Sequence, residues 1–192
     1  MNQRYYHLKT AILNKLEAEL PKQFYYHSFS HTIDMHDSAA RIAEFENIEE
    51  DDKEIILVAA LFHDAGFIID RENHEMHSCV IAKELLPQFD YSSSEIDAVC
   101  NLIMATQMPV KPKNKLEEII CDADLDYLGR DDFKVIGDLL YRELSESGGV
   151  KGDEEWNQLQ IHFLTNHRYY TKHSQTHRES VKQENLKRLM EL

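Results

Sequence analysis

The sequence predicts an all-α protein, a single-domain bundle of roughly eight or nine helices. Apolar residues recur at helical spacing through most of the chain, and its 192 residues include only six glycines and four prolines, few for the many turns of an all-β fold. Residues 55–62 are apolar at every position, which is typical of a helix buried on all sides in the middle of a bundle. Only this run could pass for a strand, and its neighbours are helical in pattern.

The first half of the chain predicts three helices. Residues 4–20 carry leucines and isoleucines at helical spacing, and Pro21 ends that helix. A second helix begins near Ser30. The acidic segment 48–54 is the start of the central helix, because carboxylates favour the first turn. Gly66 is predicted to follow the end of the central helix in a left-handed conformation.

The second half predicts the remaining helices. One spans about residues 74–86 and ends at Pro87, and Ser92 with Glu95 forms a capping box for the next. Two prolines make residues 108–115 a loop. The further helices are predicted over the ranges 116–129, 131–147, 156–166 and 174–192. We take residues 1–192 as one domain in which 150–192 form a C-terminal helical extension; a subdomain or a contact in a homo-oligomer is the alternative.

Composition limits the partners that the protein can have. The chain carries 35 acidic and 21 basic residues, a formal charge of −14, which argues against nucleic-acid polymers and anionic membranes. The N-terminus lacks the apolar region of a signal peptide, and no apolar run approaches the roughly 20 residues of a membrane span, so we expect a cytoplasmic protein. The three cysteines have no CxxC spacing and are expected to be free core thiols.

Ligand-type side chains occur where burial makes polar groups costly. His63 and Asp64 end the most apolar helix, His31 lies on the helix before it, and Asp122 and Asp124 lie within an apolar helical segment. Imidazole and carboxylate groups together suit a divalent metal such as manganese, iron, nickel or zinc. Bundles build such sites from side chains on facing helices. The sequence therefore predicts a metal site at the centre of the bundle.

These residues resemble the H…HD…D pattern of the HD-domain superfamily of metal-dependent phosphohydrolases. YHSFSHTIDM at 26–35 is similar to the YHN-x-x-H segment of cyclic nucleotide phosphodiesterases, LFHDAG at 61–66 to the LHDIG-type signature, and DADLDYLG at 122–129 to the DADRLD-type segment. The resemblance covers residues 25–129 and implies the bundle fold of that superfamily. It implies a set of metal ligands comprising His31, His63, Asp64 and Asp124, with Asp124 rather than Asp122 at the last position.

Further roles are predicted around these ligands. Asp64 is well placed both to ligate the metal and to orient the attacking water, and the resemblance to the phosphodiesterases implies that His27, four residues before His31, is the general acid. His74 and His77 are candidates for a second metal, although Thr106 and Gln107 stand where a further histidine is expected. Residues 160–171, rich in polar and aromatic groups, are expected to edge the pocket.

The predicted function is hydrolysis of a phosphate mono- or diester, with a small nucleotide as the expected substrate, by a water activated on a divalent metal ion. Manganese, iron, nickel, zinc and magnesium all remain open as the metal. A non-catalytic protein that binds metal or senses nucleotides is the main alternative. A diiron oxygenase is a weaker one, because it needs more ligands than the sequence offers.

Overall fold

The protein is helical throughout, and the computed structural model describes all 192 residues without a β-strand. Its ten α-helices are α1 (Gln3–Glu19), α2 (Phe29–Phe45), α3 (Glu50–Phe62), α4 (His74–Leu85), α5 (Ser93–Ala105), α6 (Lys115–Asp124), α7 (Phe133–Glu146), α8 (Asp153–Asn166), α9 (Lys172–His177) and α10 (Glu179–Met190). Three short 3₁₀ helices, Ala65–Ile68, Leu86–Phe89 and Asp126–Gly129, follow α3, α4 and α6. The predicted all-α class is confirmed.

Helix α3 is the centre of the main core. Every residue from Glu54 to Phe62 is buried, and α1, α2, α5 and α6 pack around it. An apolar side chain buried in this way contributes about 1.5–3 kcal/mol, so the apolar run fixes the helix at the centre of the bundle. Ser92 caps α5 in the predicted capping box with Glu95. No helix of the structure has the length and apolar character needed to cross a membrane.

Gly66 does not have the predicted left-handed conformation. It lies inside the 3₁₀ helix Ala65–Ile68, and the positive-φ glycines are at other positions. The reason for glycine here is space, since a Cβ at Gly66 would lie 1.9 Å from the carbonyl oxygen of His74. The Gly66 N–H donates to Ser78 Oγ at 2.8 Å, and that hydroxyl donates to the His63 carbonyl at 2.7 Å. Helix α4 therefore sits directly on the turn that carries His63 and Asp64.

The predicted helix over residues 116–129 is interrupted, because α6 ends at Asp124 and a 3₁₀ turn follows. This turn brings Asp126 into the interior, where it is fully buried. Three guanidinium groups surround its carboxylate within 3.4 Å, those of Arg41, Arg130 and Arg178. A buried carboxylate needs such partners.

The predicted terminal helix over residues 174–192 is two helices, which is why ten helices are found. Helix α9 ends at His177, and α10 begins after Arg178, whose side chain is turned toward Asp126. The backbone of Arg178 packs against Gly129, where a Cβ would approach the Arg178 carbonyl oxygen to 2.3 Å. Both contacts hold Arg178 against the rest of the chain and prevent one continuous helix.

Helices α7, α8 and α10 close one end of the bundle around a second apolar cluster. Leu164 of α8 and Leu189 of α10 share this cluster with Tyr26, Tyr127 and Leu128. The C-terminal extension thus packs on the same end of the bundle as the segment that carries Asp124. The three cysteines are free and buried, as the sequence predicts.

Candidate metal centre

Three helices bring the predicted ligands to one point. His31 lies in the first turn of α2, His63 and Asp64 follow α3, and Asp124 is the last residue of α6. His31 Nε2 lies 3.2 Å from His63 Nε2 and 3.1 Å from Asp124 Oδ1, and His63 Nε2 lies 3.7 Å from Asp124 Oδ1. Ligands at about 2.0–2.2 Å from one metal ion stand roughly 3.0–3.5 Å apart. The spacing of His31, His63 and Asp124 therefore suits a divalent ion.

Asp64 supplies a fourth oxygen at the same point. Its Oδ2 lies 3.1 Å from His63 Nε2 and 3.6 Å from His31 Nε2. This buried oxygen has no hydrogen-bond partner in the chain. A buried carboxylate oxygen without a hydrogen bond is costly. A cation shared with the other three groups would satisfy it, so the residues fit a metal ion.

His63 is held in the orientation that a metal ligand needs. Its Nδ1–H donates to the Ala60 carbonyl at 2.9 Å, which directs Nε2 toward the cluster. Burial alone would lower the pKa of His63, but the carboxylates of Asp64 and Asp124 outweigh burial and raise that pKa to about 9. Burial alone would raise the pKa of Asp64, yet the nearby histidines hold it well below its usual range. The centre thus attracts positive charge strongly, whether a proton or a metal ion.

A second group of ligand-type atoms lies on the other side of Asp64. His74 Nδ1–H donates to the Arg71 carbonyl at 3.2 Å, and His74 Nε2 lies 3.5 Å from Asp64 Oδ1 and 3.4 Å from Glu75 Oε1. Glu75 is buried, and the sequence did not single it out, because its burial depends on how α4 packs on the turn that carries His63 and Asp64. His77 is half-buried and does not line the cavity that adjoins the centre.

His27 lies beside the centre but not on helix α2, which begins only at Phe29. His27 and His31 are therefore not one turn apart on a single continuous helix. It sits in the preceding turn, with its ring stacked on Phe67 at 4.3 Å between centroids. Its Nδ1–H donates to Glu143 Oε1 at 2.6 Å. His27 nevertheless lines the same cavity as Asp64 and Asp124.

Glu143 of α7 is the second residue that the sequence did not reveal. It is buried, and its Oε2 accepts hydrogen bonds from the backbone N–H groups of Tyr26 and His27 at 3.1 and 3.2 Å. Burial would raise the pKa of Glu143, but the bond from His27 lowers it overall. Glu143 stands 116 positions after His27, and no spacing rule connects them.

Asp122 has a different environment from Asp124. Its carboxylate accepts bonds from the Thr171 N–H at 2.8 Å, the Thr171 hydroxyl at 2.7 Å and the Tyr170 N–H at 3.0 Å. Asp122 therefore anchors the segment that leads into α9, and it does not line the cavity.

The centre forms one side of a cavity of about 450 Å³. The opposite wall comes from α7 and α8, and its main residues are Phe133, Leu140, Trp156, Leu159 and Phe163. Within the predicted edge, residues 160–171, the residues that line the cavity are Gln160, Phe163 and Leu164. Thr106 and Gln107 also line it, at the position where a further histidine was expected.

The sequence profile of the HD domain matches residues 28–126, about half of the chain. That span contains His31, His63, Asp64 and Asp124. The chain belongs to the HD domain family.

Other proteins are similar to this chain over different lengths. An uncharacterized protein of Clostridium beijerinckii is 37% identical over 87 residues, which are 42% of this chain and 53% of that protein, so the match spans about half of the relative's length. The crystal structure of a predicted HD superfamily hydrolase from an uncultured Thermotogales bacterium has a TM-score of 0.63 at 20% identity and covers 94% of this chain and 90% of its own. A protein of Lactobacillus plantarum has a TM-score of 0.67 at 17% identity and covers 96% and 95%. These structures share the fold, including the C-terminal helices.

Proposed function

We propose that this HD-domain protein is a divalent-metal-dependent phosphohydrolase that cleaves a phosphate mono- or diester, with a small nucleotide as the expected substrate. The observation that carries the proposal is the cluster of four ligand atoms, which includes the Asp64 Oδ2 that has no hydrogen-bond partner. This cluster lies beside His27, whose imidazole is held in place by Glu143. A bound ion would act as a Lewis acid and supply hydroxide near neutral pH.

The residues of the chain divide the remaining tasks. His31, His63, Asp64 and Asp124 would hold the ion. Asp64 Oδ1, which lies 3.5 Å from His74 Nε2, would orient a water or contact a second ion on that side. His27 donates the proton that the leaving oxygen needs, and Glu143 keeps its ring in place through Nδ1.

The charge of the protein favours a metal-dependent reaction for an anionic substrate. The chain has a formal charge of −14, and the cavity itself is lined by the carboxylates of Asp64, Glu75 and Asp124. A phosphate group that approaches these carboxylates is repelled unless a cation offsets them. The pair of His27 and Glu143 favours turnover over a purely sensing function, because binding alone does not need a fixed proton donor.

The proposal is tested with chelator-treated protein and defined metals. Nucleoside monophosphates, cyclic nucleotides and aryl phosphates are offered with manganese, zinc, nickel, iron or magnesium, and phosphate or ester release is measured. Hydrolysis that the chelator abolishes and a metal restores is expected. The variant His63→Ala should lose metal and turnover, whereas His7→Ala, an exposed histidine of α1, should keep both. Full metal loading without turnover of any compound would favour the sensing alternative.

A further inference from the structure

The cavity has two chemically different sides. The side formed by the HD residues is polar and acidic. The side formed by α8 presents Trp156, Leu159, Gln160 and Phe163, which recur at the spacing of one helix face. Leu159 lines this cavity and is 45% exposed, so its apolar surface is available to a ligand. An apolar face continuous with a metal centre is suited to the part of a ligand that is not the phosphate.

No lysine or arginine is among the twenty residues that line the cavity. Chains of several phosphates are bound in proteins by arginine and lysine side chains together with metal ions. The two histidines that line the cavity already have acidic partners: His27 donates to Glu143, and His74 lies between Asp64 and Glu75. A metal ion at the centre would offset one phosphate group. Further anionic groups would meet carboxylates on one side and apolar side chains on the other.

We infer that the substrate joins a single phosphate to an uncharged group whose ring lies against α8, and that ligands with further anionic groups are rejected. This inference rests on the proposed function, because it assigns the phosphate to the metal centre. It places selection of the substrate on α8, outside residues 28–126 that match the HD domain.

Binding of three phosphonates tests the inference without requiring turnover. Manganese-loaded protein is titrated calorimetrically with methylphosphonate, benzylphosphonate and 4-carboxybenzylphosphonate. Benzylphosphonate should bind at least about 10-fold more tightly than methylphosphonate, since the ring is removed from water against α8. The added carboxylate should weaken binding by about 10-fold or more, because nothing in the cavity pairs with it. Equal binding of the benzyl and methyl compounds, or tightest binding of the carboxylated one, would overturn the inference.

A charge placed on the apolar wall provides the matched comparison. Leu159→Lys should reverse the preference, weakening benzylphosphonate and strengthening 4-carboxybenzylphosphonate by about 10-fold each. Gln158→Lys adds the same charge at the preceding position of α8, which is exposed and lies outside the cavity, and it should leave the preference unchanged. Equal effects of the two substitutions would contradict a role of this wall in selection.

Hydrolysis of benzyl phosphate separates the two proposals. If the phosphonate preferences hold but no metal supports hydrolysis, the phosphohydrolase function fails and the assignment of the ligand class stands. If hydrolysis occurs without any preference for the ring, the phosphohydrolase function stands and the assignment of selection to α8 is wrong.

Discussion

Removing the imidazole of His27 should slow the reaction without emptying the metal centre. The His27 ring does not contact the His31 ring closely, since their centroids are 6.3 Å apart. The bond to Glu143, 2.6 Å between Nδ1 and Oε1, fixes the ring without the help of the metal. A positioned general acid contributes about 10²–10⁴ in rate. We therefore expect His27→Ala to retain its metal and to lose about 10²–10⁴ in kcat for an alkyl phosphate ester.

The leaving group decides whether that loss reflects proton donation. An aryl oxide leaves without full protonation, so the loss for an aryl phosphate should be at least about tenfold smaller than for an alkyl phosphate. The assay compares kcat for the two esters on wild-type and variant proteins whose metal content has been measured. An equal loss on both esters would assign His27 a role in binding, and loss of metal would make it a ligand or a structural residue. Either result refutes the reasoning.

Glu143 supplies a second variant for the same prediction. Glu143→Gln keeps an oxygen that can accept from the backbone N–H groups of Tyr26 and His27, but it removes the negative charge opposite the His27 ring. A hydrogen bond to a charged group is worth about 1 kcal/mol more than a neutral one, so kcat should fall roughly 5- to 10-fold. The effect should vanish when His27 is already alanine, because the two residues act as a unit. Additive losses in the double variant would argue against a positioning role.

Three further predictions concern the metal and stability. Adding manganese at about 100 times its Kd should stabilise the chelator-treated protein by about 2.7 kcal/mol in thermal unfolding, and His63→Ala should abolish the increase. Gly66→Ala should destabilise the protein in urea by about 3 kcal/mol or more because its Cβ meets backbone at 1.9 Å, whereas Gly149→Ala, with contacts of 3.4 Å, should change little. Burial, and after it the charge of Lys182, lowers the pKa of His167 from 6.5 to about 4. As the pH falls, the unfolded chain therefore binds a proton at this histidine before the folded chain does. The free energy of unfolding should fall by up to about 3 kcal/mol between pH 6.5 and 4. His167→Gln should flatten that part of the pH–stability curve.

The parts of the fold that were predictable are those that local chemistry determines. Ser92 and Glu95 cap α5 by a bond pattern that spans three residues, and it can be recognised in sequence. The run from Ile55 to Phe62 could only be buried. His63 and Asp64 are adjacent in sequence and end that run, so the centre of the site was also predictable. Signals of this kind do not depend on how distant elements meet.

The parts that were missed depend on distant contacts. Gly66 is read correctly as a special position, but sequence alone cannot separate a need for positive φ from a need for space against α4. Glu143 resembles any other glutamate of an amphipathic helix until α7 packs beside His27. The break between α9 and α10 occurs at Arg178 because its side chain pairs with the buried Asp126, which lies 52 residues earlier in the chain. Each of these features is a consequence of tertiary packing.

In the proposed function, the residues for cleavage and the residues for substrate selection lie in different parts of the chain. All four proposed ligands lie within the segment that matches the HD domain, residues 28–126. Glu143 and the apolar wall of α8 lie after it. Glu143 contacts His27, and α8 reaches the cavity because α7 and α8 share an apolar cluster with Tyr127 and Leu128. A substitution on the exposed part of the α8 wall therefore removes no ligand and no buried hydrogen bond of the centre. Under the proposed function, changes there should alter which ester enters the cavity while the metal ligands are retained, so chains with the same ligands would be free to differ in substrate.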